Sequence, residues 1–164
     1  RAVLAAEDDG FTQHEGVQWQ AIEQARLRNE RALERANDQR PAKLRGGSTV
    51  TQQLAKNLLL SGERTLLRKG QELVLAYALE HLLDKRRILE IYLNNVEWGQ
   101  GVFGADAAAR HYFGTSAKQL SAAQAARLAV MLPAPKRFEK APQSAYLTAR
   151  ARAIQGRMAA TQLP

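Results

Sequence analysis

Apolar residues recur at three- and four-residue intervals along most of this 164-residue chain, the spacing that lines one face of an α-helix. Trp19, Ile22, Ala25 or Arg26, and Leu33 mark a first long segment, about 17–37. Leu54 and Leu58 give an apolar side to a second, 49–60, stopped by Ser61-Gly62. Leu73, Ala76, Leu79 and Leu83 define a third, from about 64 to 83. Asp84 caps a fourth, 85–95, with Ile88, Leu89, Tyr92 and Leu93 as its buried face. Shorter helices are predicted at 105–113, at 121–131 and near 146–158. The middle one is rich in alanine (Ala122, Ala123, Ala125, Ala126, Ala129), suits close packing inside a bundle, and is ended by Pro133 and Pro135.

Two stretches break this rhythm. At the start, Ala2-Val3-Leu4-Ala5-Ala6 runs into Glu7-Asp8-Asp9-Gly10-Phe11, and Phe11, His14 and Gly16 then read as a turn anchored by an aromatic. Later, Val96 to Gly104 holds glycines at 99, 101 and 104 and reads as a tight loop, with Trp98 and Phe103 shaping a pocket wall. Its Gly-x-Gly-x-x-Gly is not a nucleotide fingerprint, because no strand precedes it.

Composition narrows the class. The length suits one domain, 1–164, and good helix formers with few β-branched runs predict an all-α fold. No segment reaches the apolar length of a membrane span. The absence of cysteine excludes disulfides and thiol chemistry. His14, His81 and His111 lie far apart without ligand spacing, which argues against zinc. The net charge of +8 favours anionic partners such as nucleic acid, anionic lipid or a phosphorylated substrate. Aromatics make up only 6% and are not interleaved with the basic residues, so a stacking platform for single strands is poorly supported. The run from Arg26 to Arg45 pairs partly with itself, Arg26 with Glu30 and Arg31 with Glu34; a mobile basic loop is expected at about 35–47.

The candidate chemistry centres on Gly46-Gly47-Ser48-Thr49-Val50-Thr51-Gln52-Gln53-Leu54-Ala55-Lys56-Asn57. Two glycines allow close approach of the backbone, and Ser48 or Thr49 can cap a helix whose free N–H groups suit a phosphate. Thr49, Gln53, Lys56 and Asn57 then share about a third of the helix circumference. Around this helix stand two acids. Glu7 ends an apolar stretch and adjoins Asp8 and Asp9, so burial and like charge both raise its pKa toward that of a general base. Glu72 follows Arg68 and Lys69 at four and three residues, within reach of both. Paired acids with cations and a helix N-terminus suggest glycosyl transfer from a diphosphate donor. The bland alternative is a capped amphipathic helix with ordinary intrahelical ion pairs.

The same residues carry a family likeness. Glu7-Asp8-x-x-Phe11-x-x-His14-x-Gly16, the stretch Gly46 to Asn57, Arg68-Lys69-x-x-Glu72, Ile88-Leu89-Glu90-x-Tyr92-Leu93-Asn94 with Gly99-x-Gly101-x-x-Gly104, and Leu128-Ala129-x-Met131-Leu132-Pro133-x-Pro135 resemble, in order, the motifs of the peptidoglycan glycosyltransferases. These are the transglycosylase domains of penicillin-binding proteins and their monofunctional relatives. The likeness is nearest the monofunctional biosynthetic type of Gram-negative bacteria. One position departs from it, since Gly10 stands where the family usually has a basic residue.

The resemblance implies a lysozyme-like helical domain with a smaller membrane-dipping jaw at about 48–70. It implies Glu7 as general base, and Glu72 near the donor diphosphate, directly or through a divalent magnesium or manganese ion. Ser48, Thr49, Gln52, Gln53, Lys56, Asn57, Arg64, Arg68 and Lys69 would bind the diphosphate and sugar. The implied reaction joins a growing lipid-linked glycan to the 4-hydroxyl of lipid II, with inversion to a β-1,4 linkage. It implies the periplasmic face of the bacterial inner membrane, contact with that membrane surface, and cell-division or elongation proteins as partners, with no role for nucleic acid. Since the chain begins at Arg1, an N-terminal anchor is expected to lie outside it. Two other readings stay open: a lytic, lysozyme-like hydrolase sharing the two acids, and a non-enzymatic basic helical module binding anionic lipid or nucleic acid. Within Leu58-Leu59-Leu60 and Leu66-Leu67, burial in the core is the default and contact with lipid the sharper alternative.

Overall fold

The short apolar run at the start becomes α1 (Ala2–Glu7), whose Ala2, Val3, Leu4 and Ala5 are all buried and whose last residue is Glu7. In the computed structural model, residues 1–37, 46–60 and 65–164 are described, the side chain of Leu66 excepted. A 3-10 turn at Phe11–Gln13 follows and buries Phe11. The long helices are α2 (Trp19–Glu34), α3 (Val50–Leu59), α4 (Leu66–Leu82) and α5 (Lys85–Asn95). Then come a hairpin of β1 (Glu97–Gly99) and β2 (Val102–Phe103), and the helices α6 (Ala105–Phe113), α7 (Ala122–Met131), α8 (Pro135–Phe138) and α9 (Ala145–Arg157).

The core forms where α7 packs against both α1 and α9. Alanine explains the closeness: Ala126 and Ala129 of α7, with Ala151 of α9, are buried among Leu128, Met131, Leu147 and Ile154. Apolar side chains removed from water contribute roughly 25 cal/mol per Å², so this layer anchors α1 and holds Glu7 at a fixed height. On the other side α3 packs on α4 and α5, burying Val50, Leu54 and Ala55 beside Ile88 and Tyr92.

The helical expectation holds, with three corrections. Residues 96–104 form a small antiparallel hairpin rather than an irregular loop, pairing Glu97 with Phe103 and Gly99 with Val102. Its Trp98 is a core pillar, fully enclosed and donating Nε1–H to the Leu128 carbonyl at 3.0 Å, whereas Phe103 faces solvent. Neither is a pocket wall. Along α2 only Ala25 is buried, and Trp19, Leu27 and Leu33 are exposed. Periodicity finds such a helix but cannot say whether another element covers its face. Leu58 and Leu59 at the end of α3, and Leu67 at the start of α4, are likewise exposed rather than buried in the core. The expected mobile basic segment lies largely in 38–45, outside the described residues. Among the described residues no helix is long and apolar enough to cross a membrane.

Candidate functional site

The site is assembled by capping. Thr49 is the N-cap of α3, and its hydroxyl accepts from the Gln52 N–H while the Gln52 side chain accepts from the Thr49 N–H, a reciprocal capping box. The Thr49 hydroxyl itself donates to the Gly16 carbonyl at 2.6 Å, tying the helix to the first motif. Asp8 completes the cap from a distance: its Oδ2 accepts from the Val50 N–H at 2.8 Å. A carboxylate at a helix N-terminus is favoured by the axial dipole. His14 Nε2 donates to Asp8 at 2.9 Å, because its Nδ1 accepts from the Gly16 N–H and the ring proton therefore sits on Nε2.

Glycine is required at two of these joints. Gly47 runs so close to α2 that a Cβ would fall 2.8 Å from the Ala21 carbonyl oxygen. Gly16 has φ +84° and lies against α4, where a Cβ would come 3.1 Å from the Ala76 oxygen.

With α3 so placed, Gln53 meets Glu7. Its Nε2 donates to Glu7 Oε2 at 2.9 Å, and its Oε1 accepts from the Tyr92 hydroxyl at 2.8 Å. Burial holds the Tyr92 phenol well above its ordinary range, reinforced by the charges of Glu7 and Asp8. A phenol that stays protonated can donate to the amide oxygen, which turns the NH2 of Gln53 toward the acid. Burial likewise raises Glu7 above the usual carboxylate range. The Gln53 hydrogen bond opposes that rise, Asp8 adds to it, and Arg150 and Lys56 oppose it. Glu7 is thus a basic carboxylate held in one orientation.

Glu7 opens on a cleft of about 150 Å³ lined also by Asp8, Gln18, Ala21, Arg28 and the Gly46–Thr49 segment. Across Ser48 lies a second group of charges. Lys69 Nζ donates to Ser48 Oγ at 3.2 Å and pairs with Glu72, and Arg68 approaches the same carboxylate at 3.8 Å. The two acids therefore do not share one described cleft; Ser48 and Lys69 bridge them.

Measured against the expected residues, the structure draws a distinction. Glu7 and Ser48 line the cleft, Gln53 reaches it through its bond to Glu7 and Lys69 through its bond to Ser48, while Lys56 is exposed on α3, near enough for its charge to act on Glu7. Thr49 and Gln52 are almost wholly enclosed, with their hydroxyl and amide oxygen used in capping, so they shape the site from behind. Glu72 is also enclosed and orients Lys69 and Arg68. Asn57 is exposed further along α3, and Arg64 lies outside the described residues. Glu72 faces Lys69 and Arg68, and among the described residues no three His, Asp or Glu side chains cluster.

Sequence reasoning did not single out Tyr92, Gln18, Arg28 or Arg150. Tyr92 was legible as a buried position of α5 and as part of a quoted motif, but with no role attached. Arg28 and Arg150 lie on helices distant in sequence from Glu7, Gln18 precedes the first turn of α2, and none carries a local motif.

Comparison with known proteins carries this chemistry to a class. The model of the family described as Transglycosylase matches residues 1–159, and the chain belongs to that family. Among particular relatives, it is 56% identical over its whole length to the biosynthetic peptidoglycan transglycosylase of Bordetella pertussis, covering 66% of that protein. It is 56% identical to the protein of the same name from Herminiimonas arsenicoxydans, covering 68% of it, and 54% identical to that of Paraburkholderia phytofirmans, covering 65%. Each match takes in the full chain, which spans about two thirds of the length of these relatives.

Proposed function

We propose that this domain polymerises the glycan strands of peptidoglycan, transferring a lipid-diphosphate-linked glycan to the 4-hydroxyl of lipid II. The observation that carries the reading is Glu7, a carboxylate made more basic by burial and aimed by Gln53 into a cleft with a cationic rim. In the reaction Glu7 takes the proton of the acceptor hydroxyl as its oxygen attacks the anomeric carbon. The bond from that carbon to the diphosphate oxygen breaks, the electron pair leaves with the lipid diphosphate, and attack from the opposite face inverts α to β. Lys69 and Arg68, oriented by Glu72, together with Lys56 and Arg28, supply positive charge where negative charge builds on the leaving group.

A lytic hydrolase is less well served by this arrangement. Its general acid would share the raised pKa of Glu7, so what separates the two readings is the cationic rim, for which a hydrolase has no use. Contact with the periplasmic face of the inner membrane is supported by Leu58, Leu59 and Leu67, which stand exposed near those cations. The test is Glu7→Gln with labelled lipid II in detergent. Chain formation should fall by about 10²–10⁴-fold, the usual range for a lost general base, with the helical circular-dichroism spectrum unchanged. Undiminished polymerisation by that variant would remove Glu7 from the mechanism.

A further inference from the structure

A second cleft, of about 350 Å³, lies behind the acid and is lined by Asp9, Gly10, Gln13, Gln18, Ala160 and Gln162. It adjoins the first directly. Gln18 lines both, and the backbone passes from one to the other between Asp8 and Asp9. Its volume falls within the ~300–1,000 Å³ of small-ligand sites.

The walls are held in place across the whole length of the chain. Thr12 Oγ1 donates to Gln162 Oε1 at 3.2 Å, and Thr161 Oγ1 donates to Asp9 Oδ1 at 3.3 Å. Arg1 donates to the Thr161 carbonyl at 2.8 Å. These bonds leave the Gln162 NH2 and the second Asp9 oxygen available to a ligand. Gly10 keeps the cleft open: a Cβ there would sit 2.6 Å from Gln18 Nε2, in the space that the amide now occupies.

The lining chemistry selects the ligand. Three amides and one carboxylate can both donate to and accept from hydroxyl and acetamido groups. Among the described residues no lysine or arginine lines the cleft, and the nearby Arg1 guanidinium is engaged with the Ala159 and Thr161 carbonyls, so a phosphate would meet Asp9 without a free cation in the lining. We propose that this cleft is a saccharide subsite, which seats a neutral N-acetylhexosamine unit of the glycan next to the sugar reacting at Glu7. The proposal rests on the glycosyl-transfer reading and assigns it a place for the uncharged part of the substrate. Gln13 and Gln162 are the positioning side chains, and Gln18 joins the subsite to the reacting centre.

The test uses triacetylchitotriose as a soluble, phosphate-free probe, with binding followed through the side-chain amide resonances of glutamine in the isotope-labelled protein. Binding should shift the Gln13, Gln18 and Gln162 signals. A Gln13→Ala/Gln162→Ala double variant should weaken it at least fivefold, and both positions are exposed, so the melting temperature should hold. Gly10→Lys should weaken binding independently, by displacing the flexible end of Gln18 and filling the cleft. Glu7→Gln should bind the probe as the parent chain does.

Two lipid-linked assays then separate the sources of the sugar. A defect of the double variant in coupling two lipid II molecules assigns the subsite to the acceptor. A defect confined to extending a preformed lipid-linked tetrasaccharide assigns it to the donor chain. Both outcomes support the proposal. Polymerisation by the parent chain with no probe-induced shift, or full polymerisation by the double variant, overturns the subsite and leaves the function intact. Probe binding without any polymerisation would overturn the function instead.

Discussion

Glu7, Gln53 and Tyr92 form a line of hydrogen bonds in which each group fixes the next. The phenol donates to the amide oxygen, the amide NH2 donates to the carboxylate, and Glu7 lines the cleft. Because the Gln53 bond favours the ionised acid, Gln53→Met should raise the Glu7 pKa further. The acid limb of the activity–pH profile then moves to higher pH, and activity near neutrality falls roughly 10-fold, about one charge-assisted hydrogen bond. An unmoved limb would show that the amide does not tune the base. The same burial has a consequence for stability. A carboxyl whose pKa is raised on folding favours the native state less as pH rises from its ordinary value through its folded one. Glu7→Gln escapes that loss, so at pH 7 its melting temperature should equal or exceed that of the parent chain.

Helix α3 depends on a cap drawn from two places in the sequence. Thr49 and Gln52 form the local box, and Asp8 reaches the Val50 N–H from the end of α1. The box is legible in the sequence, since a threonine followed three residues later by glutamine is a known start signal. The role of Asp8 is not, because a 42-residue separation carries no periodic or spacing signal. Asp8→Ala would leave His14 and the first turn of α3 without their buried acceptor. Each buried donor so orphaned costs about 1–3 kcal/mol, and the two together correspond to a fall in melting temperature on the order of 10 °C for a domain of this size. Thermal unfolding followed at 222 nm reads this directly, and a change of one or two degrees would show the cap to be carried by Thr49 alone. Ser48 differs from Thr49 in this respect: it faces outward to Lys69 and belongs to the cleft.

The molecule as a whole is asymmetric. One side is a layer of α1, α7 and α9 packed through alanines. The other carries α3 and α4 with Leu58, Leu59 and Leu67 facing water, beside Arg68 and Lys69. Leucines with cations near them suit the boundary between headgroups and acyl chains. Substituting the three leucines by serine should reduce binding to anionic phospholipid vesicles by at least tenfold, since burying even part of each side chain contributes about 1 kcal/mol or more. Flotation measures the bound fraction, and the helical content should stay the same. Binding that persists would shift the membrane contact to another face, with the exposed apolar residues of α2 next in line.

Local patterns in the chain determined much of this. Three- and four-residue periodicity located the long helices, capping signals located the starts of α3 and α5, and i, i+3 and i, i+4 spacing placed Lys69 and Arg68 on Glu72. These are interactions within one or two turns, where backbone geometry alone sets the neighbours. Tertiary structure decided the rest. It chose which apolar faces were covered, leaving Trp19 and the leucines of α3 outside and drawing Trp98 into the core. It turned Thr49 and Gln52 inward while Gln53 met Glu7, and it brought Asp8 to α3 and the 160–162 segment to Gly10. Those choices depend on how helices distant in sequence pack, and packing follows from the shape and volume of every side chain at the contact rather than from any short stretch of the chain.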